Sequence, residues 1–446
     1  MNDLKAGFAS VNVTPMTGIE IRGYFVERIS EGVLDDLELR ALALEAGGRR
    51  AVLMSMDVCG IHNPEADSFR AAIMEATGLP EDAIFLSATH THTGPELRAA
   101  SDKPIDQEYF RFVRRRMADC ARYALEDLRP ARMGWAVGQA PHVAFMRRYR
   151  MKDGSIRTNP GVGNPDIEAP IGEVDERVNV LRFERPGAET LVLVNFGNHP
   201  DTIGGCRISA DWPGFLRRSL EKAIDGTRCI FFNGAQGDVN HVNVNAKDGD
   251  LNDMFMDFDD VSRGYGHARH VGRVVAGAVM QVYDKVNYLD VDSLHFLQRV
   301  IRVPSNMPEP GQMEQARLYD RLHNEGRDSE IPFKGMALTT VVAEAERMVR
   351  LEHGPEWFEM RMSAVSIGPV AFVGIPGEPF TGIGRALKQT PGWTLVLPCC
   401  LTNGAEGYFP MEEAYIEGGY EARSSPFRQG VAEQLIEEGQ KLLAAL

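Results

Sequence analysis

An α/β fold, with mixed β-sheets flanked by helices and an active site at strand ends, is what this sequence predicts. Three observations predict it. Short apolar runs that read as strands recur from one end of the 446-residue chain to the other. Helical patterns are interleaved with them rather than gathered in one region. No apolar run approaches the roughly 18 residues that would suggest a membrane span. Hydrophobic residues make up 43% of the chain, enough for a large buried core. Neither a repeat nor a low-complexity linker divides the chain, so 1–446 is expected to form a single domain.

In chain order, residues 8 to 60 read as several short strands with turns, including 37 to 44 and 51 to 57. A helix is predicted over 64 to 77. Gly78 and Pro80 stop it, since glycine accepts the left-handed turn that ends helices and proline cannot continue one. The apolar run 83 to 86 is a strand. Residues 107 to 128 follow a helical pattern whose basic triplet, Arg114-Arg115-Arg116, suits a solvated face. Strands follow at 133 to 139, 177 to 183, 190 to 196, 229 to 232, 296 to 303, 360 to 375 and 393 to 400. Helices are expected at 211 to 224, 260 to 284, 311 to 325, 335 to 350, 380 to 389 and 427 to 445. The Gly- and Pro-rich tract 150 to 175 and the Asn- and Asp-rich tract 239 to 259 read as long loops. Such loops border active sites or form surface excursions.

Charge and cysteine content narrow the function. With 48 basic against 63 acidic residues the formal charge is −15, which repels polyphosphate and leaves no basic stripe for nucleic acid. Cys59, Cys120, Cys206, Cys229, Cys399 and Cys400 are scattered without zinc-finger spacing and suit reduced, buried thiols rather than disulfides. The opening residues show no basic region followed by an apolar stretch. The expectation is therefore a cytoplasmic protein without a membrane anchor, whose partner is a small-molecule substrate.

The chemistry is concentrated in SATHTHTGP, residues 87 to 95. Alternation along a strand would send His90 and His92 out of one face, and two adjacent imidazoles before a Gly94-Pro95 turn suit a divalent metal. An isolated pair of this kind also fits ordinary, partly exposed histidines. His199 stands at the end of a second apolar run, in NFGNHP, where a side chain reaches a cleft; taken alone, it is better read as a turn histidine bonded to local backbone. His267 and His270, one helical turn apart, suit helix packing better than a ligand role. Asp57 and Asp238 fit either carboxylates that orient metal ligands or carboxylates bonded to backbone amides.

Taken in order, these segments resemble the catalytic domain of the neutral/alkaline ceramidase family. The resemblance spans residues 6 to about 423. It is carried by GFASVNVTP from Gly7, Gly23-Tyr24, DLELRALALE from Asp36, VLMSMDVCGI from Val52, SATHTHTGP, FMRRY from Phe145, NFGNHP from Asn195, NGAQGDVN from Asn233, IPGE from Ile375 and TNGAEGYFPMEEAYIEGGYEA from Thr402. Each piece is weak and their joint order is specific. The resemblance implies Zn2+ as cofactor, held by His90, His199, Glu378 and Tyr408. Without it, Glu378 would pass for a residue that complements a helix dipole, and Tyr408 for a loop aromatic packed on Phe409. It also implies a hydrolase in which zinc-bound water attacks an amide carbonyl. His92 and Arg147 are the candidates to stabilise the charge that builds on oxygen; Arg147 taken alone would be an ordinary surface guanidinium.

The sequence also departs from the family. Asn240 stands where the motif carries a Ser considered a nucleophile or substrate contact, and an amide cannot serve as an alkoxide. Residues 96 to 100 lack the glycines usual after the His-containing turn. No C-terminal immunoglobulin-like domain and no secretory signal are expected. The leading expectation is thus a zinc hydrolase acting on the amide bond of a small, soluble N-acyl compound rather than on long-chain ceramide, with Asn240 on the substrate side. The alternatives are a zinc hydrolase of ester, lactone or glycosidic bonds and a non-catalytic zinc-binding protein.

Overall fold

Apolar runs and helical patterns both fold as such in the computed structural model, which describes residues 3–257 and 259–446. Within them lie three larger sheets. The first has the order Ile84–Ala88, Arg49–Met56, Glu38–Ala46, Lys5–Asn12, Arg129–Pro130. The second runs Thr227–Asn233, Thr190–Phe196, Arg177–Glu184, Arg132–Gln139, Asn287–Leu289, and the third Leu294–Pro304, Trp357–Ile367, Val370–Gly374, Leu395–Cys399. Each is antiparallel except for one parallel pair at an edge: Arg49–Met56 with Ile84–Ala88, Thr190–Phe196 with Thr227–Asn233, and Val370–Gly374 with Leu395–Cys399. Parallel strands are normally covered on both faces. Accordingly Ile84–Ala88 and Val370–Gly374 are buried throughout, which is why their sequences show apolar runs instead of alternation.

The three parallel edges abut. Phe85 of the first sheet lies 6.1 Å from Phe232 of the second and 6.2 Å from Phe372 of the third, all in edge-to-face geometry. Burying rings of this size stabilises the junction by about 1.5–3 kcal/mol each. Polar ties fix the register between sheets. The Ser55 hydroxyl donates to Phe231 O at 2.5 Å, and the Asn195 amide donates to Phe232 O at 3.1 Å and Pro398 O at 2.9 Å. Backbone N–H groups of Cys400 and Asn403 donate to Asn233 O and Leu86 O at 3.0 and 2.7 Å. Helices cover the outer faces: Pro104–Glu126 against the first sheet, Asp211–Ala223 and Tyr265–Val282 against the second, Thr381–Lys388 and Val431–Ala445 against the third. The second pair packs closely because Gly272 has no side chain; a Cβ there would come within 2.5 Å of Phe215 Cβ.

Most predicted elements form within a few residues of their expected bounds. Three differ for local reasons. The run 360 to 375 is two antiparallel strands, Trp357–Ile367 and Val370–Gly374, because Gly368 adopts a φ of 53° and turns the chain. The tract 150 to 175, expected as a loop, contains Ile156–Thr158 and Ile167–Pro170 paired on either side of Arg148–Met151. The helix expected from residue 260 starts at Tyr265, because Ser262–Arg263 pairs with Phe255–Met256 instead. No helix among the described residues is long and apolar enough to cross a membrane.

Candidate metal centre

In sheets with parallel strands, ligand-binding loops leave from the carboxyl ends. Here the three abutting edges deliver one loop each to the same place: His90 after Ile84–Ala88, His199 after Thr190–Phe196, and Glu378 after Val370–Gly374. His90 is not on its strand, as the alternation rule assumed. The strand ends at Ala88, and His90 has a φ of 78°, a left-handed conformation costing a non-glycine residue on the order of 1–3 kcal/mol. Backbone bonds hold it there: Thr89 N–H to Met56 O at 2.8 Å, His90 N–H to Val58 O at 2.9 Å and His92 N–H to Pro200 O at 3.0 Å. Asp57 braces this loop from behind. It pairs with the Arg217 guanidinium at 2.8 and 2.5 Å and accepts the Thr89 hydroxyl at 3.2 Å and the Glu38 N–H at 2.8 Å.

Backbone carbonyls set the imidazole tautomers. The Nδ1–H of His90 donates to Cys59 O at 2.5 Å; that of His199 donates to Gln236 O and Val239 O at 3.0 and 3.1 Å. Each Nε2 is left free to turn its lone pair to a cation in place of a proton. Those two atoms are 3.2 Å apart, and each is 3.2 Å from Glu378 Oε2. All three side chains are buried. Three electron-rich atoms in mutual contact are stable only around a positive charge. The electrostatics agree: burial opposes charge on His90, yet the Glu378 carboxylate holds its pKa well above the usual histidine value. Against a burial that would raise it, His90 and His199 hold Glu378 well below the carboxylate range. Burial, aided by Arg147, lowers the pKa of His199.

The spacing fits zinc. Donor atoms ~2.0–2.1 Å from a tetrahedral ion lie ~3.3 Å from one another, and imidazole with carboxylate is a common zinc donor set. A second metal-compatible set, Cys59 with His90 and His92, shares one histidine with the first. It is the poorer fit. Cys59 Sγ faces His90 at Nδ1, 3.7 Å away, and that nitrogen is already engaged by the Cys59 carbonyl.

Around this triangle stand the remaining predicted residues. Tyr408 is in a two-residue strand, Tyr408–Phe409, paired in register with Glu378–Pro379. Its ring stacks 6.4 Å from that of His199. Burial, then Glu378, raises its pKa well above the usual phenol value, while Arg147, hydrogen-bonded to it, pulls the other way. The Nε2 of His92 lies 3.2 Å from that of His90, and its Nδ1 is 3.5 Å from Asp201 Oδ1. Burial dominates its pKa, held well below normal against the pull of Asp201. Arg147 is not on the surface. It is 6% exposed, ion-paired to Glu421 at 2.6 Å, donates to Gly237 O at 2.6 Å and lies 5.1 Å from the Tyr408 ring centroid. Asn240 is buried apart from this group; its amide donates to Asn159 Oδ1 at 3.0 Å and accepts from Val242 N–H at 3.0 Å. Asp238 receives the Thr381 N–H at 2.7 Å and hydroxyl at 2.9 Å.

His90, His92, Glu378 and Tyr408 line a cavity of about 660 Å³. The lining also carries charge: Arg22 is bound by Glu96 at 2.7 Å, and Arg98 by Glu20 at 3.0 Å. Sequence reasoning assigned no role to several residues here. Gln236 donates to Glu378 Oε2 at 3.3 Å, Tyr24 donates to Asp201 Oδ1 at 2.5 Å, and Tyr420 packs 5.5 Å from Tyr408. Asp201 and Glu421 each sit beside a motif residue, in NFGNHPD and GGYE, but nothing in the sequence told them from surface acids.

No protein-family model matches the sequence, and no curated protein sequence matches it. Solved structures do resemble it. Neutral ceramidase from Pseudomonas aeruginosa superposes with a TM-score of 0.75 over 100% of this chain and 74% of its own, at 17% identity. A ceramidase complexed with C2 superposes with a TM-score of 0.72 over 100% of this chain and 75% of its own, at 16% identity. The chain shares its fold with these ceramidases.

Proposed function

We propose that this chain is a zinc-dependent hydrolase that cleaves the amide bond of a small, soluble N-acyl compound, acting as a single ceramidase-like catalytic domain. The observation that carries the proposal is the triangle of His90 Nε2, His199 Nε2 and Glu378 Oε2, with tautomers locked so that all three present lone pairs to one point. His90, His199, Glu378 and Tyr408 would hold the ion. Held there, zinc would supply a bound water with its pKa lowered from about 16 toward ~7, and a Lewis acid for a carbonyl.

The protein's own groups do the rest. Cys59 O, Gln236 O and Val239 O orient the two ligand imidazoles, and Gln236 steadies the carboxylate. His92, neutral because it is buried, offers one ring nitrogen to the reacting centre while Asp201 faces the other. Arg147 acts through Tyr408: fixed by Glu421 and Gly237 O, it holds the phenol against the site. A cavity wall carrying Glu20, Arg22, Glu96 and Arg98 suits a polar substrate better than two long hydrocarbon tails. Asn240 is proposed to tune substrate choice through the segment at Asn159. All six cysteines are free thiols, which suits a reducing compartment, and we place the enzyme in the cytoplasm.

The test is hydrolysis of a panel of short N-acyl amines, N-acyl amino acids, esters, lactones, glycosides and long-chain ceramide, before and after chelation and with zinc restored. Zinc-restored turnover greatest on soluble amides is expected. Preference for esters, lactones or glycosides would move the reaction to another bond. Tight zinc with no turnover on any of them would leave a binding protein.

A further inference from the structure

A second group of histidines lies outside this site. His241 follows the short strand Val239–Asn240 and is 1% exposed; His267 and His270 lie on the helix Tyr265–Val282. The His241 and His267 rings are 5.7 Å apart, and those of His267 and His270 6.1 Å. Both of the first two have one nitrogen tied to a backbone carbonyl. His241 Nε2–H donates to Ser262 O at 2.8 Å, and His267 is hydrogen-bonded to the backbone of His241. Each donor nitrogen must carry the proton, so His241 Nδ1 and His267 Nε2 are bare acceptors. Both are buried and neither has a partner.

His241 and His267 belong to the lining of a cavity of about 210 Å³ that also includes His142, Asp250 and Asp253, with the two bare nitrogens themselves shielded from solvent. No lysine or arginine is among its described lining residues, although Arg269 comes within 4.0 Å of Asp253. Burial holds His241 neutral, with its pKa lowered to about 3, so the unpartnered lone pair persists at any physiological pH. Arg263, the cation that acts on His241, is itself held by Asp201 at 2.9 Å and Asp259 at 2.7 Å, so two locked, bare imidazole nitrogens beside a cavity that carries carboxylates make a site for a positive ion. Imidazole donors favour zinc and its neighbours over calcium or magnesium.

We propose that His241 Nδ1 and His267 Nε2 hold a second divalent transition-metal ion, independent of the one at His90 and His199. The carboxylates of Asp250 and Asp253 do not close up with the two imidazoles as Glu378 does with His90 and His199, so water completes the coordination and the site is the weaker of the two.

The test is the zinc content of the full chain equilibrated with micromolar zinc, for wild type, His267→Gln and His199→Ala. Wild type is expected to hold roughly two ions and His267→Gln about one, with amide turnover unchanged. His199→Ala is expected to keep the ion that depends on His267. Equal zinc content in wild type and His267→Gln would overturn the proposal and leave the hydrolase reading intact; loss of only the His267-dependent ion, with no zinc at His199, would do the reverse. Should His267→Gln fail to fold, anomalous scattering from zinc-soaked wild-type crystals decides: a peak between His241 and His267 supports the site, and its absence there overturns it.

Discussion

At His90 and His199, carbonyls lock the rings and a buried carboxylate joins them, so three donors meet 3.2 Å apart. At His241 and His267, carbonyls lock the rings in the same way, but no carboxylate closes the set and the donors come from one helix and the loop before it. The difference lies in the scaffold. The first site collects one candidate donor from each of three sheet edges tied by Ser55, Asn195, Cys400 and Asn403. Tautomer locking is a local matter, which any nearby carbonyl provides. Bringing a carboxylate to two imidazoles requires long-range order, and that is what separates the two candidate sites.

The largest effect should come from removing a ligand of the first centre. His90→Ala or His199→Ala should release most of the zinc and lower amide turnover by more than about a hundredfold, because a lost ligand undermines both charge balance and geometry. Metal analysis and steady-state rates check this; full occupancy in either variant would remove the assignment. Next in size is the brace. Asp57→Ala takes from the buried Arg217 guanidinium its two-point partner, leaving only Glu38 at 3.6 Å, and should cost about 3 kcal/mol in denaturant unfolding. Because Asp57 also holds Thr89, zinc should weaken at the first centre while the His241 site is untouched. Equal weakening at both would mean a general loss of fold.

His92→Ala should keep its zinc and slow the chemical step by roughly a hundredfold, the scale of one lost transition-state donor. If it releases metal instead, the roles of His90 and His92 are exchanged. Acid should also act on the scaffold, through carboxylates that are not donors at either centre. Burial would raise the pKa of Asp175, but Arg177 and Lys388 hold it well below the usual value; Arg217 and Arg40 likewise lower Glu38 against its burial. A depressed folded-state pKa contributes stability that is full above the unfolded value and lost as pH falls through the folded one. The urea midpoint should therefore fall as pH drops below about 4, and less steeply in Asp175→Asn. An unchanged slope in that variant would rule the pair out as a source. Smallest is Asn240→Ser, which should leave zinc and stability nearly unchanged and shift relative rates among amide substrates. An identical substrate profile would make the position structural.

Much of this was legible in the sequence. Apolar runs such as 190 to 196, and Gly78 as a helix stop, work through neighbours a few residues away, and those elements form where expected. His90 and His199 stand out as histidines at the ends of apolar runs, Glu378 and Tyr408 only through motif order; the fold sets the first three donor atoms 3.2 Å apart and the Tyr408 ring 6.4 Å from that of His199. His90 and His92 do meet, but not through strand alternation: the strand ends before them, and His90 takes a positive φ with its Nε2 3.2 Å from that of His92. The grouping of strands into three sheets was hidden, since a parallel partner lies a helix or more away in sequence. Arg147 looked like part of an exposed arginine cluster because its partner Glu421 is 274 residues distant, as 421 minus 147 gives. Asp201 was hidden in the same way, because Tyr24, which fixes it, is 177 positions away.

The central claim is that His90, His199 and Glu378 share one zinc ion. X-ray absorption at the zinc edge of the His267→Gln protein, which isolates that centre, tests it most directly. The expected spectrum has imidazole nitrogens and oxygens at ~2.0–2.2 Å and no sulfur, and it disappears in His199→Ala. A sulfur shell at ~2.3 Å that survives in His199→Ala would place the ion with Cys59, His90 and His92 instead, and would contradict the account.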